Sequence, residues 1–147
     1  MKEMLKWAAA MVLTAMSLTA ALAQDTTHKL AIHIDENDPA VMNLALNNVQ
    51  NVFSYYKEKG EKVVVEIVAY GPGLNMFVED KSPVKDRISA MALEQPDLTF
   101  SACGNTLAGM TKKAGHEIKL MGEAVVVSAG VVRLMELDAE GYTYLKP

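Results

Sequence analysis

The sequence has little of several features that mark particular protein classes. Among its 147 residues there is one cysteine, Cys103, so the chain cannot form an internal disulfide. Its net charge of -4 at pH 7 comes without a face rich in Lys and Arg, which argues against nucleic acid or an anionic lipid surface as a partner. Internal repeats, low-complexity tracts and linker-like segments are also absent. Together these absences favour one globular domain.

A long apolar run occurs near the start of the chain. Two lysines precede the alanine-rich segment 7–22, and Ala21-Leu22-Ala23 matches the small-residue pattern at which signal peptides are cleaved. The run is short for a membrane span of about 20 strongly apolar residues, so we expect a signal peptide at residues 1–23 and not an uncleaved anchor. Cleavage after Ala23 would leave residues 24–147 as a single domain, periplasmic or secreted, without membrane attachment.

After residue 24, β-branched runs alternate with segments of helical spacing. The runs predict strands at residues 29–35, 62–69, 97–102, 124–128 and 142–146. The segments between them predict helices that begin after Asp38 and after Ser82, and helices at 104–114 and 130–140. Residues 62–69 are apolar at nearly every position, which indicates burial on both faces. The alternation predicts an α/β fold, a three-layer α/β/α sandwich with a mostly parallel sheet of about five strands.

Capping residues mark where these helices should begin and end. Asp38-Pro39 and Ser82-Pro83 each combine an N-cap side chain with a proline suited to the first turn. Gly60, Gly115 and Gly141 suit the left-handed conformation that ends many helices. The apolar residues expected on one inward face are Leu107, Ala108 and Met110 on the third helix and Val131, Leu134 and Met135 on the fourth.

Cys103 lies at the edge of the predicted sheet where ligands are expected. In an open parallel sheet, ligands bind at the carboxyl ends of the strands. The segments that leave these ends are residues 35–38, 70–73, 102–106 and 128–130. If a helix begins at Gly104 or Asn105, the sulfur meets unpaired backbone N–H groups at the positive end of a helix dipole, which favours a reactive thiolate. A buried, inert thiol and an intermolecular disulfide are the alternatives.

The remaining metal-ligating side chains give no close-spaced pair, so we expect no metal site and no cofactor. His33 lies inside the first strand, where it would face the core or a partner, or act as a ligand. His28 and His116 lie at element ends and are expected to be solvated. The methionines expected in the core or at subunit contacts, rather than on copper, are Met42, Met76, Met91 and Met110.

Motifs for phosphate binding or hydrolysis are also missing. Tyr70-Gly-Pro-Gly73 lacks the glycine spacing and the lysine of a phosphate loop, and it predicts a tight turn whose backbone passes close to the cysteine. No pair of carboxylates stands out for acid–base hydrolysis. The carboxylates expected in caps and solvated turns are Asp35, Glu36 and Asp38. Ser101 and Ser128 fit neither a catalytic-triad pattern nor a nucleophile elbow.

The closing segment 128–147, SAGVVRLMELDAEGYTYLKP, carries a resemblance to a known family. With the order of elements and the lone cysteine that closes the third strand, it resembles the exported branch of the DsrE/DsrF-like (YchN-like) family over nearly all of residues 24–147. The resemblance implies a small α/β domain that assembles into trimers or hexamers. It also implies a cysteine that carries sulfur as a persulfide between partner proteins, and that cysteine would be Cys103.

The function expected from this resemblance is periplasmic sulfur handling. Cys103 would bind sulfane sulfur and pass it from a donor protein to an acceptor protein, acting as a carrier rather than as a turnover enzyme. This chemistry requires neither a second cysteine nor a metal. The alternative is a non-catalytic, oligomeric module of the same fold that binds a ligand or a protein, with Cys103 in a packing role.

Overall fold

Strands and helices alternate along the part of the chain described by the computed structural model, residues 26–147. The elements are β1 (Thr27–Ile34), α1 (Pro39–Lys59), β2 (Lys62–Ala69), a 3-10 helix (Gly71–Phe77), α2 (Lys85–Glu94), β3 (Leu98–Cys103), α3 (Gly104–Ala114), β4 (Ala124–Val127), α4 (Gly130–Ala139) and β5 (Thr143–Leu145). The predicted signal peptide, residues 1–23, lies outside this range. Within it, no helix has the length and apolar character needed to cross a membrane.

The sheet is parallel throughout and has the strand order β4-β3-β2-β1-β5. From β1 to β4 the chain advances in one direction, so right-handed crossovers place α1, α2 and α3 on one face. The chain then returns across the sheet to add β5 beside β1, and the same handedness places α4 on the opposite face. The predicted α/β/α sandwich is therefore confirmed, with a sheet of five strands in the described residues.

The two faces of the sheet bury very different cores. The larger cluster lies under α1, α2 and α3 and includes Leu46, Ile88 and Phe100. The smaller cluster lies under α4 and contains Ala31, Val68 and Leu137. Strand β2 contributes to both clusters, which confirms that it is buried on both faces. The face under α4 has few apolar residues because polar side chains replace them there.

The predicted caps are confirmed at most helix ends. Asp38 accepts a hydrogen bond from the Ala40 N–H at 2.8 Å, with Pro39 in the first turn. Gly60, with φ 69°, ends α1 in the left-handed conformation. The residues with the same conformation after α3 and α4 are Gly115 and Gly141.

The predicted helix start at Ser82-Pro83 is wrong by two residues. Helix α2 begins at Lys85, and its N-cap residue, Val84, makes no side-chain capping bond. The Ser82 hydroxyl instead donates to the Met76 carbonyl at 2.6 Å. The same hydroxyl oxygen accepts from the Val84 N–H at 3.4 Å, so Ser82 joins the 3-10 helix to the turn that precedes α2.

The predicted inward faces of α3 and α4 are right only in part. Leu107 packs with Met110 against the larger cluster, but Ala108 is exposed. On α4, Leu134 packs against the smaller cluster, whereas Val131 and Met135 are 56 % and 68 % exposed. Within the described residues, α4 is the single helix on its face, so part of its apolar stripe has no neighbour.

Candidate functional site

Cys103 ends β3 and serves as the N-cap residue of α3. Its sulfur accepts a hydrogen bond from the Thr106 N–H at 3.4 Å, in the position that a Ser or Asp side chain occupies in an ordinary cap. The residue is 5 % exposed. The predicted position at a strand end, immediately before a helix, is therefore correct.

The first turn of α4 reaches the same sulfur. The Gly130 backbone N–H lies near enough to lower the pKa of the Cys103 thiol. This approach requires glycine, because a Cβ on Gly130 would lie 2.7 Å from a ring carbon of Tyr70. A Cβ on Gly104 would likewise lie 2.9 Å from the Val127 carbonyl oxygen. The two glycines allow the positive ends of two helices to converge on one thiol.

The hydrogen bonds at the sulfur favour its ionised form. Burial raises the pKa of the Cys103 thiol, but hydrogen bonds from the Thr106 side chain and from the N–H groups of Gly130, Thr106 and Asn105 outweigh it. The net pKa lies below the ordinary value of 9.0. The Thr106 hydroxyl oxygen also accepts from the Gly71 N–H at 2.9 Å, which leaves the hydroxyl proton for the sulfur. The arrangement is suited to a nucleophilic thiolate.

A group of polar residues, here called the rim cluster, lies beside Cys103 at the carboxyl ends of β1, β2 and β5. It consists of His33, Asp35, Tyr70, Tyr144 and Lys146. The Tyr70 ring stacks on the His33 ring with 4.5 Å between centroids. His33 Nδ1 shares a hydrogen bond of 2.8 Å with the Tyr144 hydroxyl, and Lys146 Nζ donates to Asp35 Oδ2 at 2.8 Å.

Burial and charge shift the titration of the rim cluster. Burial lowers the pKa of His33, against the opposing effect of the Asp35 carboxylate, so the imidazole is neutral at neutral pH. The hydrogen bond from Lys146 lowers the pKa of Asp35. Burial raises the pKa of Tyr70, with further contributions from the charges of Asp35 and Cys103. Tyr70 therefore links the rim cluster to the thiol electrostatically.

The predicted turn at Tyr70-Gly-Pro-Gly73 lies at this edge and continues as the 3-10 helix. Its Gly71 N–H bonds to Thr106, next to the cysteine. A Cβ on Gly73 would lie 2.3 Å from the Ile34 carbonyl oxygen, so the turn packs directly on the end of β1. The predicted close passage beside the cysteine is confirmed.

The other residues considered from the sequence do not join Cys103. His28 bonds to Glu61 at 2.6 Å, and His116 bonds to the Glu117 carbonyl. Ser101 donates to Glu66 at 2.6 Å inside the sheet. Among residues 26–147, no three His, Cys, Asp or Glu side chains are grouped closely enough to hold a metal ion. Of the methionines named from the sequence, those buried in the larger cluster are Met42, Met76 and Met91, with Met110 partly buried against it.

A comparison with solved structures identified a protein that is similar to this chain in both sequence and fold. It matches the protein of unknown function MTH1491 from Methanobacterium thermoautotrophicum with 30 % identity and a TM-score of 0.69, over 82 % of this chain and 99 % of that one. The chain belongs to the same family as MTH1491. Comparisons with protein-family models and with curated proteins gave no match. MTH1491 is similar in fold, and its description names no activity.

Three residues of this member of the MTH1491 family contribute to the site although sequence reasoning did not single them out. Thr106 supplies a hydroxyl to the thiol, and Tyr144 and Lys146 bring the end of β5 to His33 and Asp35. Lys146 follows a strand end, so the rule that ligands gather at carboxyl ends could have identified it. The position of β5 beside β1 was needed to bring it to Asp35.

Proposed function

We propose that the protein carries sulfane sulfur on Cys103 as a persulfide and passes it to a partner protein. The observation that supports this most is that the first turns of α3 and α4 both lie at one sulfur, which accepts from the Thr106 N–H and whose pKa these turns lower. A thiolate is the nucleophile that sulfur transfer needs. The resemblance of the closing segment to the DsrE/DsrF-like family supports the same function.

The transfer needs only one cysteine. The Cys103 thiolate attacks the outer sulfur of a donor persulfide, a new S–S bond forms on Cys103, and the donor leaves as a thiolate with the electron pair of the broken S–S bond. A thiolate of the acceptor then attacks the outer sulfur on Cys103 in the same manner. The low exposure of Cys103, 5 %, protects the bound sulfur from bulk solvent between the two steps.

Sulfur addition to Cys103 tests this function. Protein treated anaerobically with an excess of a small organic persulfide should gain the mass of one sulfur atom on the peptide that contains Cys103, and a thiol acceptor should remove it. Intact-protein and peptide mass spectrometry measure both steps. Cys103→Ser should gain no mass under the same treatment. Sulfur addition at equal levels in wild type and Cys103→Ser would contradict the proposal.

We further propose that the mature chain begins at Gln24, is exported to the periplasm, and forms a trimer or hexamer. The exposed apolar side chains on α4 and the neighbouring strand ends support assembly, because they form an apolar groove together with Ala31 and Tyr142. The large apolar residues exposed in this region are Val131, Val132, Met135 and Tyr144.

Native mass spectrometry of a periplasmic fraction tests these proposals. It should give the mass of a subunit whose first residue is Gln24, in assemblies of three or six subunits. A full-length monomer would contradict the start at Gln24 and the assembly, and absence of the protein from that fraction would contradict the export.

A non-catalytic binding module is the second candidate function. The same apolar groove favours it, because a surface of this kind binds a protein or a ligand without thiol chemistry. In that case Cys103→Ser would retain the cellular function, whereas a charged substitution of Met135 would abolish it. For a sulfur carrier, Cys103→Ser would abolish the function.

A further inference from the structure

Two buried polar atoms of the rim cluster lack hydrogen-bond partners within residues 26–147. His33 is 6 % exposed, and its Nε2 has no partner among the described residues. Asp35 Oδ1 is also buried and also without a partner there. Burying a polar atom without a hydrogen bond is unfavourable, so most buried polar atoms in folded proteins are paired. A pair of such atoms at the edge where ligands bind indicates a place for a ligand.

These atoms lie on the same side of the sheet as Cys103. His33 pairs with Val68, and Val68 pairs with Ser101, so their side chains share the face under α4. Asp35 and Cys103 each lie two residues further, at the ends of β1 and β3. Two strand spacings separate their backbones by roughly 10 Å. His33 Nε2 lies 3.8 Å from Asp35 Oδ2, so this end of the imidazole is directed toward the same edge.

The unpaired atoms require a ligand that donates hydrogen bonds. A carboxylate oxygen only accepts, and Lys146 already occupies the other oxygen, Oδ2. His33 is neutral, and when its Nδ1 donates to the Tyr144 hydroxyl, its Nε2 also accepts. One group with several N–H donors would satisfy both atoms. An ammonium group has three N–H donors, enough to bond to both atoms at once.

We propose that Asp35 and His33 bind the ammonium group of a small aminothiol persulfide whose outer sulfur reaches the Cys103 sulfur. This inference rests on the proposed sulfur-carrier function. In the reaction, the Cys103 thiolate attacks the outer sulfur, the S–S bond of the donor breaks, and the aminothiol leaves as a thiolate with the electron pair. The proton on the outer sulfur stays there, so no oxidant or reductant is needed.

The charges of the site select against inorganic sulfur anions. The charges of Asp35 and Lys146 cancel, so the site carries a net negative charge when Cys103 is in its reactive thiolate form. Thiosulfate or polysulfide would add further negative charge next to the thiolate. A donor with an ammonium group would instead compensate the negative charge of the thiolate. The substrate class is therefore an organic persulfide with a nearby amine.

Two matched donors test this specificity. The persulfides of cysteamine and of β-mercaptoethanol have the same length and differ in an ammonium or a hydroxyl at the far end. We expect cysteamine persulfide to load Cys103 at least about tenfold faster, the ratio given by one charged hydrogen bond. Asp35→Asn should abolish the preference. Glu36→Gln, which removes the same charge from the neighbouring exposed position, should retain it. Peptide mass spectrometry measures each rate, and circular dichroism checks that the variants are folded.

A binding measurement separates this inference from the proposed function. S-methylcysteamine has the ammonium but no transferable sulfur, and it should shift the imidazole resonances of His33 in wild type and not in Asp35→Asn. Equal loading by both persulfides, with no shift by S-methylcysteamine, would overturn the inference and leave the carrier function standing. A shift of His33 without loading by any donor would support the ammonium site and overturn the carrier function.

Discussion

Arg133→Met is expected to lower the free energy of unfolding by about 3 to 5 kcal/mol, the cost of leaving a buried charge without its partner. Glu66 is 5 % exposed in the middle of β2. Arg133 on α4 donates to both of its carboxylate oxygens, from Nε at 2.8 Å and from Nη2 at 2.9 Å. Without Arg133, the carboxylate would keep only the short bond from Ser101. Urea denaturation of wild type and variant measures the difference.

The geometry around Arg133 explains why this pair is strong. Its third nitrogen donates to Glu136 at 3.2 Å and to Glu140 at 3.3 Å, so the guanidinium is surrounded by carboxylates. The hydrogen bonds to Glu66 and Glu136 raise the pKa of Arg133 well above its ordinary range. The bidentate pair joins α4 to the centre of the sheet, and it therefore also positions the Gly130 N–H at Cys103.

Arg87→Met is the matched control for this prediction. Arg87 bonds to neutral side-chain oxygens of α1, including those of Asn43 and Asn47 at 2.6 Å and 2.8 Å. Its removal leaves no buried charge, so we expect a loss of about 1 kcal/mol. Adding Glu66→Gln to Arg133→Met should recover part of the loss, because the amide is neutral and still accepts from Ser101. If Arg87→Met and Arg133→Met lowered the free energy of unfolding equally, removing Arg133 would cost no more than losing hydrogen bonds to neutral groups, and the prediction would be contradicted.

The second prediction concerns the thiol itself: Thr106→Val should raise the pH at which Cys103 becomes reactive. The valine keeps the shape of the side chain but removes the hydroxyl that bonds to the sulfur. In wild type, the alkylation rate should rise with pH through a midpoint below 9.0, because the pKa of Cys103 lies below that value. In the variant the midpoint should move upward. Iodoacetamide kinetics across pH give both midpoints.

Thr111→Val is the control on the same helix. The Thr111 hydroxyl accepts from the Ile118 N–H at 3.4 Å and is not among the groups that shift the pKa of Cys103. In Thr111→Val, the midpoint of the Cys103 alkylation rate against pH should equal that of wild type. If Thr106→Val also leaves the midpoint unchanged, the hydroxyl does not stabilise the thiolate.

The lowered pKa also has a consequence for stability. A thiol whose pKa is lower in the folded state than in the unfolded state stabilises the fold in its ionised form. This contribution is fully present above the pKa of the unfolded thiol, and it is lost as the pH falls through the lower pKa of the folded state. The free energy of unfolding of wild type, measured relative to Cys103→Ser, should therefore increase with pH in this window. For Thr106→Val the same difference should increase less.

Local physical chemistry in the sequence determined the elements and the position of the cysteine. Asp38 caps α1 and Gly60 ends it, because each interaction needs only neighbouring residues. The apolar run at 62–69 is buried on both faces, as its composition requires. Cys103 lies between a strand and a helix because the mostly buried strand Leu98–Cys103 ends there and a segment with helical spacing begins. These properties depend on spacing over a few residues, which the sequence displays directly.

Only the tertiary structure decided which distant residues meet. The strand order brings Tyr144 to His33 and Lys146 to Asp35, each across 111 positions. The return of the chain to β5 places α4 on the opposite face of the sheet from the other helices of residues 26–147, where Arg133 meets Glu66 and Gly130 lies near Cys103. Hydrophobic periodicity records which side of an element is buried, but it does not specify what it is buried against. The thiol was therefore readable from the sequence, and its electrostatic surroundings required the fold.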